Sequence, residues 1–151
     1  NVLGCDIGFS ELLAAGQIAR LPRLFCVQPA NVAPIHACFE AGSETLLPRE
    51  WKPTIAEGTA IKRPVRLKQV LQAIKRSQGG TVAIAEDEIV TAVRQLAASG
   101  FYVEPTCASA AAAAAKLLAS GQIRPGETSV VVLTGTGLKA SGFMTELFAK
   151  S

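Results

Sequence analysis

The sequence predicts a three-layer α/β domain built on a parallel sheet. Two observations carry that expectation. Strand-length apolar segments alternate with segments of helical periodicity, which implies parallel strands joined by right-handed crossovers. Val130 to Leu133 are four consecutive apolar residues, which suits a parallel strand covered on both faces.

Taken in order, Phe9, Leu12, Leu13 and Ile18 suggest a first helix with Gly16 near its end. Arg23 to Gln28 reads as a short buried strand stopped by Pro29. Asn31 is a suitable N-cap for a helix that carries Val32, Ile35, His36 and Phe39 to one side and ends at Gly42. Residues 43–64 hold Pro48, Pro53 and Pro64 with little periodicity and read as a long loop. From about Val65 to Arg76, the residues Leu67, Val70, Leu71 and Ile74 form one apolar stripe at helical spacing. Gly79 and Gly80 then turn the chain into a strand over Thr81 to Ala85.

Glu86, Asp87 and Glu88 load the start of the next helix with negative charge, which favours its dipole by ~0.3–1 kcal/mol each. Ile89, Val93 and Leu96 face inward on it, and Gly100 ends it. Phe101 to Val103 reads as a strand closed by Glu104-Pro105, and Thr106 as the cap of an alanine-rich helix running to Leu118. Those alanines combine high helix propensity with little bulk, so the helix can lie close to a sheet or a bound ring. The last strand is Ser129 to Leu133, followed by the turn Thr134-Gly135-Thr136-Gly137 and a short helix near Phe143 to Phe148.

Composition narrows the function. The chain has 151 residues, 49% hydrophobic and 18% charged, with a formal charge of +3. A folded core is expected, and disorder is not. The weak positive balance, without a basic cluster among aromatics, argues against a nucleic-acid partner. The longest apolar run, Ala110 to Ala115, is far below the ~18 residues that span a bilayer, so no membrane partner is expected. Cys5, Cys26, Cys38 and Cys107 form no C-x-x-C pair, which fits reduced thiols and a cytoplasmic setting. The chain opens on Asn1 and its only methionine is Met144, the pattern expected of a piece of a longer protein.

Ligands in open α/β sheets bind beyond the carboxyl ends of the strands. Glu104-Pro105-Thr106 and Thr134 to Gly137 stand there. The glycine turn offers close backbone approach and two hydroxyls, or it is an ordinary strand-to-loop turn. It is not a dinucleotide loop, because Ala140 occupies the third glycine position and only fourteen residues remain after Gly137. Glu104 faces a pocket or is a solvated loop charge. His36 is the only histidine, and packing or a surface position explains it better than catalysis. No metal-ligand spacing and no Ser-His-Asp or Cys-His arrangement is present, so no metal site is expected. Lys75-Arg76 reads as solvated surface, while Lys62-Arg63, in the long loop, could meet an anion.

Four segments in order carry a resemblance: GFSELLAAGQIARLPRLFCVQ (8–28), TIAEGTAIKRP (54–64), SQGGTVAIAEDEIVTAVRQLAASGFYVEPTCASAA (77–111) and VVVLTGTGLK (130–139). Together they resemble the C-terminal half of threonine synthase, and more broadly the pyridoxal-phosphate enzymes of the tryptophan-synthase-β fold, known as fold type II. The match covers nearly the whole chain. The resemblance implies that residues 1–151 are one C-terminal fragment, with pyridoxal 5'-phosphate as cofactor of the full-length protein.

By position, the resemblance implies that Thr134 meets the cofactor's pyridine nitrogen. A neutral hydroxyl there holds no proton on the nitrogen, which leaves the ring a weaker electron sink, suited to elimination and replacement rather than transamination. It further implies that Gly135 and the Thr136 turn let the backbone approach the ring, that Glu104 belongs to an EP motif near the cofactor, and that Gly58 lines the ring's face. The Schiff-base lysine lies in the family's N-terminal half. None of Lys52, Lys62, Lys68, Lys75, Lys116, Lys139 or Lys150 sits in its context, so no catalytic residue is assigned and the fragment alone is expected to be inactive.

The activity implied is conversion of O-phosphohomoserine and water to threonine and phosphate, with a small amino-acid substrate. A serine/threonine dehydratase or another β-replacing enzyme is the alternative, and a non-enzymatic α/β ligand-binding domain is the alternative of another class. Losing half of a two-domain enzyme exposes apolar surface, so a homodimer is a further expectation.

Overall fold

The computed structural model describes residues 1–149. It is mixed α/β with a parallel pair of strands, β1 (Phe25–Pro29) and β2 (Gly80–Ile84). Among the described residues six α-helices accompany them: α1 (Val2–Ala14), α2 (Pro34–Glu40), α3 (Leu67–Arg76), α4 (Glu86–Ala98), α5 (Pro105–Ala119) and α6 (Ser141–Ala149). The residues divide into two compact units, one of 1–28, 33–50 and 61–82, the other of 29–32, 51–60 and 83–151.

In the first unit α3 follows its stripe. Leu67, Leu71 and Ile74 are buried, and Leu67 and Leu71 join Cys38, Ile35, Phe39 and Leu47 in one apolar cluster. The helix begins two residues later than expected, and Val65, left outside it, is 98% exposed. α1 lies earlier than its apolar residues suggest. Leu12 and Leu13 are exposed, and the buried side chain of α1 is Asp6, paired with Arg76 at the end of α3. Burial of that carboxylate makes its partner costly to lose. Arg76→Ala should destabilise the fold by about 1–3 kcal/mol, read by urea unfolding, because it strands a desolvated acceptor. A loss no larger than that of Lys75→Ala would refute the pairing as a stabilising contact. Burial also pushes the Cys26 thiol up to about 11.

Asn31 is not the cap of α2. A turn of 3-10 helix covers Ala30–Val32, and α2 starts at Pro34 with Ala33 before it. Proline is preorganised for a first helical position and lacks the N–H that a cap would satisfy. The Asn31 amide instead donates to Pro53 O at 2.6 Å, within the second unit. His36 is partly buried, with Nδ1 2.8 Å from Thr81 Oγ1.

In the second unit, the acidic start of α4 is as expected. Glu88 reaches back to accept the Ala85 N–H at 2.8 Å, which satisfies one of the donors a helix start leaves open. Thr106 is not the cap of α5. Glu104 occupies that position, Pro105 opens the helix, and Thr106 lies inside it. The alanine face packs on α4, with Ala108 and Ala113 buried.

Two expected strands do not form. Phe101 to Val103 contributes one antiparallel bridge, Val103 to Thr136. Ser129 to Leu133 makes no ladder among the described residues, and Val130 is 84% exposed. A strand needs a partner for its N–H and C=O groups, and the apolar run alone supplies none.

Candidate functional site

The site grows from the joint between the 102–104 segment and the glycine turn. The Glu104 N–H donates to Gly135 O at 3.2 Å, and the Gly137 N–H to Tyr102 O at 3.0 Å. With the Val103–Thr136 bridge, these bonds fasten the turn to the start of α5. Gly135 is buried, and a Cβ there would overlap Glu104 Oε1 and stand 3.0 Å from its Cγ. The bare backbone is therefore what leaves room for the Glu104 carboxylate.

Cys107, one turn into α5, sits under the same turn and is 3% exposed. Its sulfur accepts the Thr134 N–H at 3.2 Å and the Gly135 N–H at 2.9 Å. It lies 3.4 Å from Thr134 Oγ1 and 3.8 Å from Glu104 Oε1. Thr134 and Thr136 are exposed, and Thr136 Oγ1 accepts the Leu138 N–H at 3.4 Å.

Glu104 also borders a cavity of about 430 Å³. Gly58, Glu86, Glu104, Thr106, Lys139 and Phe143 are among its lining residues. Gly58 lies in a single 3-10 turn, Glu57–Thr59, and its N–H donates to Thr106 Oγ1 at 3.1 Å. Glu86 Oε2 accepts the Ile55 N–H at 2.8 Å, while its Oε1 is buried with no partner among the described residues.

The five residues singled out from sequence thus fall into two linked groups. Gly58 and Glu104 line the cavity. Thr134, Gly135 and Thr136 do not, but their turn is bonded to Glu104 and Cys107. Sequence reasoning missed Cys107, Glu86 and Lys139. The Glu104-x-x-Cys107 spacing, which sets the two side chains over one helix start, was the available signal for Cys107.

Of the lysines, Lys68 pairs with Glu44 at 3.1 Å and Lys116 with Glu88 at 3.3 Å, and Lys150 lies outside the described residues. Among the described residues, no cluster of three or more His, Cys, Asp or Glu is placed to hold a metal ion, and no helix is long and apolar enough to cross a membrane.

The family described as "Pyridoxal-phosphate dependent enzyme" matches residues 1–135. The chain belongs to that family. As a pyridoxal-phosphate dependent enzyme chain it is 37% identical over 140 residues to the threonine synthase of Methanocaldococcus jannaschii, covering 92% of this chain and 35% of that protein. It is 32% identical over 140 residues to chloroplastic threonine synthase 2 of Arabidopsis thaliana, covering 92% of this chain and 27% of that protein. The chain therefore spans about a third or less of the length of these relatives. Two solved structures share the fold. T.th. threonine deaminase matches with a TM-score of 0.57 at 24% identity, over 82% of this chain and 41% of its own. Maize serine racemase matches with a TM-score of 0.59 at 19% identity, over 85% and 40%. The cofactor of the family is pyridoxal phosphate.

Proposed function

We propose that this chain carries the ring-nitrogen end of the cofactor site in a longer, threonine-synthase-like enzyme that converts O-phosphohomoserine and water to threonine and phosphate. The observation that carries the reading is the Thr134 hydroxyl. It is exposed, and it stands on a turn whose backbone is tied to a buried sulfur and whose next residue has no side chain. Such a turn fits a flat heteroaromatic ring at its nitrogen edge. When bound, pyridoxal phosphate supplies the electron sink that stabilises negative charge on the substrate carbon.

The chain's own residues set how strong that sink is. Thr134 offers a neutral hydroxyl, which stabilises no positive charge on a ring nitrogen. Gly135 presents backbone without steric cost. Gly58 and Glu104 would border the ring and the space beside it, where the cavity opens. The isolated 151-residue chain is expected to turn over no substrate.

The fold shared with a threonine deaminase favours a second reading, in which the same cofactor serves dehydration of threonine. The two separate on substrate. The protein expressed from its full reading frame, loaded with pyridoxal phosphate, should release inorganic phosphate from O-phosphohomoserine. Release of 2-oxobutyrate from threonine, with no phosphate from phosphohomoserine, would replace the first reading by the second.

A further inference from the structure

The Cys107 sulfur accepts two backbone N–H groups, from Thr134 and Gly135, so its lone pairs are directed at the turn. The thiol proton has two oxygen neighbours, Thr134 Oγ1 at 3.4 Å and Glu104 Oε1 at 3.8 Å. These choices have opposite consequences. If S–H goes to Glu104, the Thr134 hydroxyl donates its own proton to sulfur and faces outward as an acceptor only. If S–H goes to Thr134 Oγ1, that oxygen is already hydrogen-bonded on its inner side and its own O–H points outward as a donor. An unprotonated pyridine nitrogen is an acceptor, and the second arrangement holds the Thr134 O–H outward as its donor.

We propose that Cys107 is a positioning residue for Thr134: its thiol donates to Thr134 Oγ1 and so turns the Thr134 hydroxyl proton toward the ring nitrogen. This rests on the reading of Thr134 as the nitrogen's partner. Cys107 touches no substrate, and it acts only through the hydroxyl it orients and the turn it fastens.

The test compares Cys107→Ala, Cys107→Ser, Thr134→Val and the double variant Cys107→Ala/Thr134→Val, all in the full-length holoenzyme. Three readouts are taken: the cofactor absorbance band, the dissociation constant of pyridoxal phosphate from the apo form, and kcat with KM. Cys107→Ala should move the band in the same direction as Thr134→Val and weaken cofactor binding. It should lower kcat roughly tenfold, the worth of one ordinary hydrogen bond, with KM little changed. Cys107→Ser, which keeps a donor and an acceptor, should restore band and kcat. The double variant should fall within about twofold of Thr134→Val alone, since one removes what the other acts through.

A Cys107→Ala enzyme with the parent's band and kcat, alongside a shifted Thr134→Val, overturns the positioning role and leaves the Thr134 reading standing. A silent Thr134→Val overturns both. If Cys107→Ala does not fold, Cys107→Ser decides: a folded Ser variant with the Thr134→Val spectrum overturns the proposal.

Discussion

Thr134→Val in the full-length holoenzyme should shift the cofactor band and lower kcat by about 10–100-fold, the equivalent of one hydrogen bond of ~1–3 kcal/mol felt at the reacting system. Valine keeps the shape of threonine and removes only the hydroxyl. Thr134 is exposed and its one inward contact is the weak one to the Cys107 sulfur at 3.4 Å, so the folded state should lose no more than about 1 kcal/mol by urea unfolding. The turn's backbone bonds to Cys107, 3.2 and 2.9 Å here, use no atom that the substitution removes. A loss of activity with an intact fold therefore reports the hydroxyl itself. An unchanged band and an unchanged rate would remove Thr134 from the site.

Gly79→Ala should cost far more stability than any change at the turn. A Cβ on Gly79 would overlap the Leu24 carbonyl oxygen and stand 2.6 Å from its carbon and 2.8 Å from its nitrogen. These are backbone atoms, and they are held from several directions. The Leu24 N–H donates to Ser77 Oγ at 3.1 Å, and Ser77 Oγ donates to Ile74 O at 2.9 Å. Leu24 O accepts the Gly80 N–H at 3.2 Å. Making room would break the junction between the end of α3 and the entry to β1. The expected loss is about 3 kcal/mol, at the upper end for overpacking, with the urea m-value unchanged. A loss below about 0.5 kcal/mol would show that the junction yields rather than resists.

The sequence made helices legible where packing repeats at short range. The Leu67, Leu71 and Ile74 stripe and the acidic start of α4 both follow from spacing alone. Caps were harder. Asn31 and Thr106 are good capping residues, yet Pro34, three residues after Asn31, and Pro105, just before Thr106, fix the helix starts elsewhere. The run Val130 to Leu133 has every property of a strand except a neighbour, and a neighbour is not a local property of sequence.

The site divides in the same way. Glu104 was legible as a carboxylate at a segment end, and it does line a cavity. The bond from Cys107 to Thr134 joins residues 27 apart, and no periodicity announces it.

The two compact units are interleaved along the chain, which passes from one to the other five times before residue 84. No single cut can therefore release either unit whole, so neither could be inherited, swapped or trimmed as a cassette. Each also needs its far-separated segments gathered before its contacts form, which slows assembly relative to a chain of local contacts. During synthesis, the unit whose segments end at residue 82 has its full set before the glycine turn of the other has been made.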